Sequence, residues 1–244
     1  MPLSWTCETI RLSLFSSEAV RLSTENWKQL TGQNEPEEEQ KGSGRHVFAS
    51  AMIGGQLSLG AIANRCDCIL SPIPNQAEMP DDYVPSVGQW PSALEKFQKL
   101  TEPFLEKLPF PVTRIAFAPV LLRPSKDRLE AYKTLVSLVK SIKQPPENMQ
   151  DLLFRINWPK TSTAENGLTL NRLTTWSVQQ YQLQVLVPDG NSPSAFGHAT
   201  VLRFELDHNT DQKRVTPFDA ARVVPIYREL TNLALQNALE GEVL

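Results

Sequence analysis

His46–Leu70 reads HVFASAMIGGQLSLGAIANRCDCIL, and this stretch decides the fold class. Apolar residues alternate with small or polar ones through His46–Ile53, Gln56–Ala63 and Arg65–Leu70, which is the period of a strand. Gly54-Gly55 separates the first two as a hairpin turn. Three strands in direct succession imply antiparallel pairing, because parallel strands need a long crossover. Upstream, Thr9–Phe15 alternates as a further strand, and Glu18–Leu30 reads as a short helix ended by Gly32. Glu35–Gly44 (EPEEEQKGSG) reads as a solvated loop. Downstream, a proline-rich connection over Ser71–Pro85 leads to a helix over Pro91–Leu108, with Leu94, Phe97, Leu100, Phe104, Leu105 and Leu108 on one face.

The same order returns in the rest of the chain. Val112–Leu122 is a strand and Asp127–Ile142 an amphipathic helix. Leu152–Trp158, Leu168–Val187 and Thr200–Asp207 are strands, and Pro217–Leu239 closes as a helix with Thr216 as its cap and Asp219 at its positive end. Each part therefore reads β-α-β-β-β-α, with a boundary near residue 109. Residues 1–109 and 110–244 are expected to be duplicated halves of an α+β fold. Their antiparallel strands, or one continuous pseudo-symmetric sheet, are covered by four helices on one face. Pro91 and Pro217 open the two closing helices, and Pro103 and Pro225 interrupt them. The order is close to that of the saddle-shaped TATA-binding fold, an analogy of topology that assigns no function.

The composition excludes several classes. The chain has 244 residues, a net charge of −3, 41% hydrophobic and 21% charged residues, enough for a packed core. Residues 1–109 carry nine basic and fourteen acidic side chains, and residues 110–244 carry fifteen and thirteen. An acidic half subtracts from any phosphate-binding surface. Duplex nucleic acid is therefore not an expected partner, although Arg114, Arg155, Arg172 and Arg203 fall in strands with Phe117, Phe154 and Phe204 nearby. No apolar run reaches membrane-spanning length, and the N-terminus lacks a signal-peptide pattern. Three cysteines form no closed disulfide framework, which points to a reducing cytoplasm.

The search for chemistry returns little. Cys66-x-Cys68 is tighter than the usual spacing of zinc ligands, a tetrahedral site would need Cys7 and His46 as well, and the pair reads as buried apolar thiols. Asp207-x-Asn209-x-Asp211 opens like a calcium loop but has Gln212 for the glycine and Phe218 for the final glutamate, so it reads as a turn. Ser194, His198 and Asp189 lack the strand–elbow–helix setting of a triad. Neither a phosphate loop nor a dinucleotide-binding glycine pattern occurs. The acidic run Glu37–Glu39 reads as solvated, and Trp5, Trp27, Trp90, Trp158 and Trp176 as packing at the edge of the core. No metal, cofactor or catalytic set is implied. Were there an activity, His198, His208, Asp207 and Glu205 would be its first residues to test. Arg11, Arg65, Arg114 and Arg203 occupy matching strand positions and form a candidate ligand-binding set for an anion between the halves.

Trp27-Lys28-Gln29-Leu30-Thr31-Gly32 with Pro36-Glu37, then Arg65-x-Asp67-x-Ile69-Leu70-x-Pro72, and the closing strand and helix over Phe204–Leu239, resemble a sporadically distributed bacterial family of about this length. Its members are conserved proteins of uncharacterised function. The resemblance spans most of the chain and brings no catalytic residues. Sporadic distribution implies an accessory, defence-type gene. The expected function is a non-catalytic interaction or assembly protein whose partner is a second copy or another subunit. The alternative is a module that senses a small anionic molecule.

Overall fold

A computed structural model describes residues 4–73, 84–185 and 194–241, with the backbone alone at 182–185 and 194–197. The elements run β1 (Thr6–Phe15), α1 (Thr24–Thr31), β2 (Glu38–Gly42), β3 (Arg45–Met52), β4 (Gly55–Ile62), β5 (Arg65–Ser71), β6 (Gly88–Gln89) and α2 (Trp90–Leu105). They continue with β7 (Arg114–Ser125), α3 (Arg128–Leu138), β8 (Leu153–Asn157), β9 (Lys160–Thr161), β10 (Thr169–Val185), β11 (Ser194–Thr210) and α4 (Ala220–Glu240). All strands join one antiparallel sheet in the order β2-β3-β4-β5-β1-β7-β11-β10-β8, with β6 on β1 and β9 on β10. The fold is α+β.

Strand alternation sends one set of side chains to the helices and the other to an uncovered face. Ile10, Leu12 and Leu14 of β1, Cys66, Cys68 and Leu70 of β5, and Ile115 and Phe117 of β7 point to the helices and are buried. α1 brings Trp27 against Phe48, and α4 brings Tyr227 edge-on to Phe117. Trp5, Trp176 and Phe204 form a further cluster, and the Trp5 Nε1–H donates to the Ala238 carbonyl at 2.7 Å. Trp5, Trp27, Trp90 and Trp176 thus lie deep in the core and not at its edge. The three thiols are free and buried on this same side, packed as apolar groups.

The hairpin turn falls one residue earlier than the double glycine suggests. Met52 pairs with Gly55, so the two turn residues are Ile53 and Gly54, both at positive φ, which matches the right-handed twist of the strands. Gly55 is needed for a different reason: a Cβ there would sit 2.4 Å from the Ser71 carbonyl oxygen.

Several boundaries differ from expectation. The first helix begins only at Thr24, because Ser16 and Val20 donate backbone hydrogen bonds to Asn64 and Ala63, holding 16–23 out of the helix while Val20 and Leu22 enter the core. The charged stretch expected as a loop contains β2. Composition signalled its exposure, but the free edge of β3 recruits it, and its charged side chains guard the resulting outer edge. α4 starts three residues late, capped by Asp219 and not by Thr216, because the Phe218 N–H is held by the Val112 carbonyl. Asp207 and Asn209 lie within β11, paired with Leu173 and Asn171, and not in a turn. α3 ends at Leu138, short of Ile142, and α2 at Leu105, short of Leu108. The proline-rich connection at 74–83, and Asp189 of the imagined triad, lie outside the described residues.

Candidate functional site

The uncovered face is a trough. Ile69 on β5 and Leu153 on β8 lie on either side of four intervening strands, yet they line one groove of about 580 Å³. A flat sheet would hold them roughly 24 Å apart at the usual strand spacing. The Tyr181 hydroxyl of β10 likewise reaches Glu8 of β1 at 2.9 Å, across β11 and β7. The sheet is therefore strongly coiled, concave on the side away from the helices.

The ladders place most of the lining residues in two adjacent rows across five strands. One row runs Arg11, Ala118, Asp207, Leu173, Asn157 over β1, β7, β11, β10 and β8. The next runs Thr9, Val120, Glu205, Thr175, Arg155. A half-turn about the middle of β11 exchanges the rows type for type. Arginine falls on arginine, acid on acid, small Ala118 on Thr175, apolar Val120 on Leu173, polar Thr9 on Asn157. The floor is thus acidic along β11, and each wall carries one arginine. Arg11 and Arg155 are exposed and have neither ion pair nor hydrogen bond among the described residues. Asp207 accepts from Asn209 Nδ2 at 3.0 Å and Glu205 from Arg203 Nε at 2.8 Å, through one oxygen each.

The four arginines expected to act together are spread along the sheet. Arg65 and Arg114 flank Phe15 in one row at one end. Arg65 is paired with Asp67, which also accepts from Ser13. Arg114 lies over the Phe15 ring and donates to Asn209. Arg203 sits at the opposite end, about eight residues or 26 Å along the strands. It is held by Glu8, Glu205 and Tyr181 in a clasp at the β1 bulge. Burial opposes its charge, but the hydrogen bond it donates to Glu205 and the nearby Glu8 charge win, so its pKa lies above the usual arginine range. Burial, then Glu8, pushes Tyr181 up to about 12. Leu122, level with Arg203 on the uncovered face, is wholly buried at this end. Of the four, Arg11 alone has its guanidinium available.

The other candidates separate too. His198 is exposed at the root of the β10–β11 ribbon, while His208 faces the helices and is completely buried. Its Nδ1–H donates to the Leu230 carbonyl at 3.3 Å, and burial lowers its pKa to about 4. Glu205 and Asp207 are on the opposite face from it, so His208 pairs with neither; among the described residues, the histidine that does meet a carboxylate is His46, 2.8 Å from Glu39 on the β2–β3 edge. Arg172, Phe117, Phe154 and Phe204 also point to the helix side. Arg172 is buried there and donates to the Trp158 carbonyl, so the aromatics that suggested wedges are core residues. Among the described residues no three histidines, cysteines or carboxylates gather as metal ligands. No helix among them is long and apolar enough to cross a membrane.

Sequence reading did not assign Arg155 to a groove, nor Glu8 and Tyr181 to a clasp. Strand period places each on a face, but which strands neighbour one another is a property of topology. Compared with family models, curated proteins and solved structures, the chain matches none.

Proposed function

We propose that this chain is a non-catalytic interaction or assembly subunit that receives another protein on the concave, uncovered face of its sheet. One observation carries this reading: helices cover one side of the sheet, and the other is left as a trough with apolar Ile69, Val120, Leu153 and Leu173 between the unpaired Arg11 and Arg155. Leu153 keeps 66% of its surface exposed, a cost in water that a partner would relieve. The separation of His198 and His208 from the carboxylates supports the non-catalytic part. The bacterial, accessory, defence-type setting rests on the family resemblance alone.

Duplication belongs to the same proposal. The strand orders outward from the central β1–β7 pair support it: β1-β5-β4-β3 on one side, continued by β2, and β7-β11-β10-β8 on the other. In each direction the first strand of a half pairs with its last. A trough straddling that junction is then a feature of the pseudo-symmetric whole.

Nucleic acid is a poor occupant, since Asp67, Glu205 and Asp207 share the face with the arginines. The second reading, a small anionic molecule between the halves, is favoured by Arg11 and Arg155 standing unpaired on the two walls. Light scattering on the purified chain, with affinity capture from its native lysate, tests the main reading. A strictly monomeric protein without a reproducible partner overturns it. A thermal-shift screen with anionic metabolites that raises the melting temperature, reversed by Arg11→Gln, would favour the second.

A further inference from the structure

Resting on the reading above, we propose that the trough receives an α-helix of the partner protein. That helix carries two basic side chains one turn apart on its inner face and acidic side chains on both flanks. The charge map of the groove motivates the pattern. Glu205 and Asp207 are two residues apart on the floor strand, roughly 6.6 Å, close to the roughly 6 Å between helix positions i and i+4. Arg11 and Arg155 stand on opposite walls, two strands to either side, where the flanks of a helix lying over Glu205 and Asp207 would pass, its end against the Arg203–Glu8–Tyr181 clasp. Ala118 and Thr175 leave room beside the floor for the aliphatic stems of the basic residues, and Val120 and Leu173 offer apolar contact beside them.

The choice of a helix follows from backbone chemistry. β1, β7, β11 and β10 each have a neighbour on both sides along the groove, so the floor presents side chains and no free backbone partners. An extended segment laid there would bury its own N–H and C=O groups unpaired, whereas a helix satisfies them internally. From β1 to β8 the floor measures about 19 Å along its curve, against the 10–12 Å diameter of a helix. A second copy offering the same face would touch only at the rims, because both surfaces are concave. A phosphate backbone would meet the acidic floor.

Two labelled twenty-residue helical peptides test this by fluorescence anisotropy with the full chain. One carries lysines at i and i+4 on its inner face and glutamates on both flanks, and the other exchanges the two charge types. The first is expected to bind at least about tenfold more tightly. The double variant Arg11→Glu/Arg155→Glu should remove that preference. Both side chains are exposed, and thermal unfolding against the wild type checks that the variant is folded. Equal affinities, no binding of either peptide, or a preference that survives the double variant overturns the proposal. Capture of a partner from lysate that is unaffected by Arg11→Glu/Arg155→Glu would sink the helix while leaving the interaction reading intact. Absence of any partner would sink both.

Discussion

His208 makes the stability of this fold depend on pH in a window where few other groups do. Its ring lies among Phe117 of β7, Arg172 of β10 and the Leu230 carbonyl of α4; Nε2 has no hydrogen-bond partner among the described residues, and the neighbouring Asp207 carboxylate is on the far face of the sheet. Burial lowers the folded-state pKa to about 4, with the Arg172 charge adding to the effect. In the unfolded chain the ring titrates near 6.5. Above pH 6.5 both states are neutral and the group has no effect on the slope. Between 6.5 and 4 the unfolded state takes up a proton that the folded state refuses, so stability falls as pH falls. From pH 7 to pH 4.5 the loss attributable to this residue is about 2.5 kcal/mol, a large part of a typical margin. Urea unfolding followed by tryptophan fluorescence at the two pH values measures it. His208→Leu and His208→Gln should each lose about 2.5 kcal/mol less than the wild type over that interval, whatever their stability at pH 7. Carboxylates titrate in all three proteins and cancel in the comparison. If the wild type and both variants decline in parallel, the buried neutral histidine is not the source of acid sensitivity.

Three other outcomes follow from the packing. Glu8→Gln removes the charge that holds Arg203 and Tyr181 across the sheet and should cost about 1–3 kcal/mol in denaturant unfolding at neutral pH; a variant within 0.5 kcal/mol of the wild type would make the clasp ornamental. Gly55→Ala forces a methyl group against the Ser71 carbonyl and the Val87 side chain and should lower stability by about 1–3 kcal/mol, seen as a lower melting temperature; an unchanged one would show that β4 and β5 can part locally. Burial raises the pKa of Cys7, Cys66 and Cys68 above the ordinary thiol range. A disulfide reagent at pH 8 should therefore modify none of them until urea unfolds the chain, and rapid labelling in the native state would contradict their placement.

The mixed class, the strand-rich run of β3, β4 and β5 and the approximate places of the helices were legible because each depends on local period and on turn residues. The boundaries that slipped were decided by partners distant in sequence. Val20 is held out of α1 because Ala63 accepts its N–H, and Phe218 is held out of α4 by Val112. Exposure was read correctly at Glu38–Gly42, but exposure does not distinguish a loop from an edge strand whose only neighbour is β3. Arg155 and Glu205 meet on one face because β10 lies between β8 and β11, an adjacency that no spacing in the sequence records.

The register also decides which residues of the proposed halves can correspond. If Arg11 matches Arg114, Ser13 matches Ala116. Ser13 pairs with Asp67 across β1 and β5, and Ala116 pairs with Asn209 across β7 and β11, so Asp67 then matches Asn209 and Arg65 matches Asp207. Matching Arg65 to Arg203 would instead set Arg11 against Ala118, so the four arginines cannot form two equivalent pairs at once. Under the first correspondence, a polar residue that pairs with the central strand is kept in both halves. Asp67 accepts from Ser13 and Arg65; Asn209 accepts from Arg114 and Asn171 and donates to Asp207. What the halves share is then a polar network bracing the β1–β7 junction. The unpaired charges, Arg11 and Arg155, lie beyond that brace. A sheet that braces its central strands with paired polar groups and leaves single arginines on the walls has separated the residues that fix its shape from those free to meet the proposed partner.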